Sequence, residues 1–104
     1  MKTKEPHIKQ ILSIILPTFN ESKNIKKLID QLLKINSSYD LEVIIVDDNS
    51  SDGTGTIVRN YAKSERRVRL INRVGRSGLS SAIKEGCLSA TGEIISIMDA
   101  DGQH

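Results

Sequence analysis

The feature that most constrains this chain is an alternation. Four short runs rich in β-branched residues and leucine, Ile11–Leu16, Leu41–Val46, Val68–Asn72 and Glu93–Met98, are separated by stretches whose apolar residues recur every three or four positions. Continuous apolar runs of this length read as strands buried on both faces. Between them, Ile25, Leu28, Ile29, Leu32 and Leu33 share one helical face opposite lysines, in a segment that starts near Ser22 and ends at Asn36-Ser37-Ser38. A weaker helical pattern covers Thr56 to Lys63, and a third opens at Gly78 and carries Leu79, Ala82, Ile83, Gly86, Cys87 and Ala90. Strand alternating with helix predicts an α/β fold, a parallel sheet with right-handed crossovers and helices on both faces. Pro17 is expected to stop the first strand.

In such a sheet the loops that follow the strands gather along one edge, where ligands bind. Here those loops are Pro17 to Glu21, Asp47 to Asp52, Arg73 to Gly78, and Asp99 to His104. All are polar and three carry carboxylates, so this edge is where chemistry is expected.

With 104 residues the chain is one domain, residues 11–104, behind a polar tail at 1–10. A net charge of +2 with scattered lysines and arginines argues against nucleic acid, and so does the scarcity of aromatics: one Phe, two Tyr and no Trp. The lone Cys87 excludes an internal disulfide and a cysteine-cluster zinc site. No segment has the length of a membrane span or the apolar core of a signal peptide, which points to a cytoplasmic protein.

Each loop offers a chemistry and a plainer alternative. Asp99 and Asp101 are two residues apart, so in extended backbone both reach one side, and Gln103 follows in the same phase. Carboxylate and carbonyl oxygens suit Mg2+ or Mn2+, although Asp and Gly also make ordinary turns. Asp47-Asp48-Asn49-Ser50 can accept from a nucleobase N–H or simply cap the next helix. Phe19 can stack on a ring or pack into the core, and the backbone N–H groups of its loop can meet a phosphate or base edge. Arg73 and Arg76 beside Gly78 offer cations near a helix N-terminus, a seat for a diphosphate or a pair of solvated side chains.

In order, SIILPTFNESKNI, EVIIVDDNSSDGT, GRSGLSSAIKEG and ATGEIISIMDADGQH resemble family 2 glycosyltransferases, most closely the polyprenol-phosphate branch similar to dolichol-phosphate mannosyltransferases. The resemblance spans Ser13 to His104 and rests on four motifs in matching order. It implies the Rossmann-like, nucleotide-binding half of a GT-A fold. It also implies that Pro17, Phe19 and Glu21 line the nucleoside, that Asp48 with Asp47 beside it holds the base, and that Arg76 lies near the phosphates. Asp99, Asp101 and Gln103 correspond to the metal ligands.

The implied reaction is glycosyl transfer with inversion from a nucleotide sugar, of the GDP-mannose or UDP-glucose type, to a polyprenyl phosphate at the cytoplasmic face of a membrane. The family continues beyond its D-x-D motif with acceptor-binding elements, and the expected catalytic base belongs there. The chain is therefore expected to be a truncated half with little activity of its own. An edge beside Ile94 to Met98 would favour a homo-oligomer. The alternatives are a Mg2+-binding receiver-like signalling domain, since VIIVDDNS and IISIMDADG also resemble receiver acidic loops, and an inactive nucleotide-binding remnant.

Overall fold

The computed structural model describes residues 10–35 and 38–100. Four strands alternate with three helices: β1 (Ile11–Thr18), α1 (Ile25–Leu33), β2 (Asp40–Asp47), α2 (Thr54–Ser64), β3 (Val68–Asn72), α3 (Leu79–Ser89) and β4 (Ile94–Ile97). All strand pairs are parallel and the sheet order is β3-β2-β1-β4. The chain builds outward from β1 to β3, then α3 carries it back across the sheet to β4 on the other side of β1. The direction of winding thus reverses between β1 and β4, the switch point at which α/β sheets open a crevice.

Alternation along the strands divides the core in two. Ile14 and Leu16 of β1 and Val43 and Ile45 of β2 point to the face covered by α1 and α2, where they meet Ile25, Leu28, Ile29, Leu32 and Val58. Ile15, Ile44 and Val46 point to the opposite face and meet Ala82 of α3. Each fully buried aliphatic side chain contributes about 1.5–3 kcal/mol relative to exposure.

Helix α3 lies close against the sheet because of Gly86. A β-carbon there would stand 2.5 Å from Ile15 Cγ2 and 3.2 Å from Val46 Cγ2, so a side chain at this position would force the helix or the strand side chains to move. Strand β4 forms one edge, with Ile94, Ile95 and Ile97 exposed.

The first strand runs two residues further than its sequence suggests, through Pro17 to Thr18. The Ile15 carbonyl accepts from the Met98 N–H on the β4 side, and the Thr18 carbonyl accepts from the Asp48 N–H on the β2 side. Residues two apart face the same neighbour, so Pro17 turns its ring nitrogen toward the β4 side, beyond the four residues of β4 that pair. No ladder bond to β2 is lost, and the proline is accommodated.

Candidate functional site

At the carboxyl ends of β1 and β2 lies an open cleft of about 240 Å³, lined by Pro17, Thr18, Phe19, Glu21 and Asp48, with Leu79 and Ala82 of α3 on the far wall. Four of the residues singled out from the sequence, Pro17, Phe19, Glu21 and Asp48, therefore meet in one place. Phe19 is 62% exposed and has no part in the core, which excludes the packing role its sequence left open.

The first two loops are tied into one body by side chains of the second. The Asn20 N–H donates to Ser50 Oγ at 2.8 Å, the Glu21 N–H to Thr54 Oγ1 at 2.9 Å, and the Ser22 N–H to Asp52 Oδ2 at 3.0 Å. In return the Ser51 N–H donates to Asn20 Oδ1. Asn20 and Asn49 both take left-handed backbone, at φ 53° and 54°, which asparagine tolerates better than other non-glycine residues. The backbone N–H groups of residues 20, 21 and 22 are thus spent inside the protein and are not free for a phosphate or base edge. The Thr54 hydroxyl, and then the Ser22 and Thr54 N–H groups, hold the Asp52 carboxyl far below the usual carboxylate range.

Asp47 and Asp48 are adjacent in sequence and have separate positions in the fold. Asp47 is 1% exposed and faces inward, where its carboxylate accepts from the Thr18 hydroxyl at 2.6 Å, the Ser50 N–H at 2.9 Å and the Ser50 hydroxyl at 2.6 Å. It braces the two loops and does not line the cleft. Asp48 lies on the cleft floor, with Oδ2 accepting from the Gly78 N–H at 2.9 Å and Oδ1 2.7 Å from Arg73 Nε. That ion pair is close, but the N–H does not point along it, so it is a charge contact and not a directional hydrogen bond.

Arg73 has no exposed surface, and sequence reasoning treated it as one of two loop cations. Its Nη1 donates to Glu85 Oε2 at 2.9 Å and its Nη2 to Ser81 Oγ at 2.8 Å. Glu85 is shared with Arg76, whose Nε and Nη2 clasp the two carboxylate oxygens at 2.8 and 2.7 Å. The Arg76 guanidinium holds the Glu85 carboxyl below its ordinary value. Asp48, Arg73, Glu85 and Arg76 thus form a row of alternating charge from the cleft floor along α3. Arg76 is outward and 53% exposed, which leaves it able to turn toward a ligand.

Thr18, Leu79, Ala82 and Glu85 were not identified as site residues from the sequence. Glu85 is an acidic residue nine positions after Arg76, a signal present in the sequence, whereas Leu79, expected on the apolar face of α3, is 62% exposed. Asp99 follows β4 at the same sheet edge. It is exposed and, among the described residues, has no hydrogen-bond or ion-pair partner. Asp101 and Gln103 lie outside the described residues, within which no group of three metal-ligating side chains occurs. No helix among them is long and apolar enough to cross a membrane.

A parallel sheet with its cleft at the carboxyl ends of the strands, beside a reversal of winding, defines an α/β ligand-binding domain. The family model for glycosyl transferase family 2 matches residues 13–104, and the chain belongs to that family. The match also decides against the receiver-like alternative. A dolichyl-phosphate beta-glucosyltransferase of Trichomonas vaginalis is 37% identical over 98 residues, covering 88% of this chain and 30% of that protein. A dolichol-phosphate mannosyltransferase of Pyrococcus furiosus is 36% identical over 93 residues, covering 89% and 26% respectively. The chain therefore spans less than a third of the length of these relatives. Among solved structures, a Pyrobaculum calidifontis mannosyltransferase in complex with GDP-Man and Mn2+ superposes with a TM-score of 0.78 at 33% identity, over 90% of this chain and 28% of that one. Staphylococcus aureus TarS 1-349 in complex with UDP gives 0.72 at 28% identity, over 90% and 28%. The α/β, GT-A-type fold is that of these neighbours.

Proposed function

We propose that the chain binds a nucleoside-diphosphate sugar and serves glycosyl transfer to a polyprenyl phosphate at the cytoplasmic face of a membrane. The observation that carries this reading is the convergence of Pro17, Phe19, Glu21 and Asp48 on one cleft, in a member of a glycosyltransferase family. Exposed Phe19 offers a face for the base, and Asp48 offers acceptor oxygens to a ring N–H. Arg76, released from Glu85, is within the loop that would meet the diphosphate. The dolichyl-phosphate relatives support the lipid-phosphate acceptor, and the GDP-Man and UDP complexes of two neighbours support the donor class.

A divalent cation, Mg2+ or Mn2+, fits the donor set. Asp99 is an exposed carboxylate with no partner among the described residues, and Asp101 and Gln103 would add oxygen ligands of the same hard type. Such an ion neutralises diphosphate charge and improves the leaving group. In the reaction an acceptor phosphate oxygen forms a bond to the anomeric carbon as the bond to the nucleoside diphosphate breaks, with inversion. The departing diphosphate keeps the electron pair. A phosphate acceptor is already an anion at neutral pH, so no general base is required of these residues.

The test is thermal unfolding of the chain with GDP or UDP, with and without Mn2+, because a ligand of the folded state raises the midpoint. The expected result is stabilisation by one nucleotide, deepened by Mn2+, with the metal increment lost in Asp99→Ala. A cooperative transition that neither nucleotide moves overturns the reading.

A further inference from the structure

The nucleotide reading leaves the fully buried Arg73 unexplained. An arginine withdrawn from water is retained where its charge and its N–H donors are met, and removing a partner is costly. The Arg73 charge is met by two carboxylates, Asp48 and Glu85, and its Nη donors by Glu85, the Ser81 hydroxyl and the Gly78 carbonyl at 3.4 Å, while its Nε makes only the charge contact with Asp48. Its own backbone N–H donates to the Asp47 carbonyl at 2.8 Å, fixing the start of the side chain at the ends of β2 and β3.

The same guanidinium therefore grips Asp48 twice. It sits against Oδ1 directly, and through Gly78 and Ser81 it secures the mouth of α3, whose Gly78 N–H holds Oδ2. Gly78 reaches this position with φ 116°, a conformation that other residues adopt only with strain. Asp48 Oδ1 is thus buried against the guanidinium as a charge contact and Oδ2 is held by the Gly78 N–H, while the carboxylate still lines the cleft.

We propose that Arg73 is a positioning residue for base recognition: it fixes the Asp48 carboxylate so that its remaining acceptor capacity faces a nucleobase ring N–H. This rests on the nucleotide reading above. The ligands it favours are nucleoside diphosphates whose base carries such a hydrogen, guanine or uracil. Cytosine presents none, so CDP keeps the diphosphate and a stacking face and forfeits this contact.

The experiment is calorimetric titration of the full chain with GDP, UDP and CDP in the presence of Mn2+, for the wild type, Arg73→Lys, Ser81→Ala, Asp48→Asn and the Arg73→Lys/Asp48→Asn double variant. Arg73→Lys is expected to weaken the preferred nucleotide about tenfold, the scale of a lost hydrogen bond to a charged group, and to leave CDP unchanged, so that selectivity collapses. Ser81→Ala keeps both charges and is expected to shift selectivity the same way by a smaller factor. On the Asp48→Asn background, Arg73→Lys is expected to add nothing, because the two residues act as one unit.

Equal losses for all three nucleotides, or additive losses in the double variant, overturn the positioning role and leave the nucleotide site standing. If Arg73→Lys does not fold, a folded Ser81→Ala with wild-type selectivity overturns it equally. A wild type that binds no nucleotide, or binds all three alike, overturns the base-recognition reading and this inference with it.

Discussion

The Thr18 hydroxyl donates to Asp47 Oδ1 at 2.6 Å, joining the last residues of β1 and β2 inside the protein. Both side chains are buried, so neither has water to replace the other. Asp47→Ala would strand the Thr18 hydroxyl, the Ser50 N–H and the Ser50 hydroxyl together. The expected loss is about 2–4 kcal/mol of folding stability, read as a lowered urea midpoint with unchanged slope. A stability within experimental error of wild type would show that Asp47 does not brace the loops.

Phe19 makes the contrasting case. Its ring is mostly exposed, and truncating such a side chain costs within about 0.5 kcal/mol of stability. If the ring stacks on a base, Phe19→Ala weakens nucleotide binding by about 1–3 kcal/mol with an unchanged melting temperature. Titration of the variant with GDP and UDP checks this, and unaltered affinity would remove Phe19 from the site.

Gly86→Ala tests how closely α3 is seated. The added carbon meets Ile15 Cγ2 at 2.5 Å, a separation that demands movement of a β-branched side chain packed in the sheet. Overpacking of this kind costs about 1–3 kcal/mol, although alanine's better helix propensity returns about 1 kcal/mol of it. A net fall in melting temperature is expected, and a rise would mean that the interface yields.

Acid should destabilise the fold through carboxylates held low by their partners. Hydrogen bonding from Arg67 brings Glu65 from 4.5 down to about 2, and Arg76 lowers Glu85. Burial acts to raise Glu42, but hydrogen bonds from the Thr91 N–H and the Ser13 hydroxyl outweigh it. The folded state binds fewer protons than the unfolded one at these groups, so their contribution is complete above the ordinary carboxylate range and fades as pH falls through the lowered values. Urea midpoints should stay level near neutrality and decline below about pH 4.5, and for the exposed Glu65 and Glu85 pairs the decline should shrink in high salt. A midpoint that rises with acid would contradict these pairings.

The strands and helices were legible because their patterns are local. Ile25, Leu28, Ile29 and Leu32 announce a helix by spacing alone, and all four are buried in α1. Pro17 misled about the end of β1, since whether a proline costs a ladder bond depends on which neighbour its nitrogen faces. The cleft was legible as a set of loops after strands, but the division of labour between Asp47 and Asp48 was not. Adjacent residues leaving a strand point to opposite sides, and only the packed fold decides which side is interior. Arg73 was hidden for a similar reason: the sequence shows a loop arginine, and its burial depends on Glu85 and Ser81, reached only when α3 folds back.

The bonds from Ser50, Asp52 and Thr54 to the backbone of residues 20, 21 and 22 bear on how such a chain can diverge. The pairing is crossed, with residue 20 bound to 50, 21 to 54 and 22 to 52, so the first loop threads between side chains from both ends of the second and the two are matched in shape as well as in chemistry. A single-residue insertion in either one moves a donor or an acceptor away from a partner that no neighbouring residue replaces. Variation in this lineage should therefore arrive as paired changes, the first loop lengthening only where the second has been rebuilt to meet it.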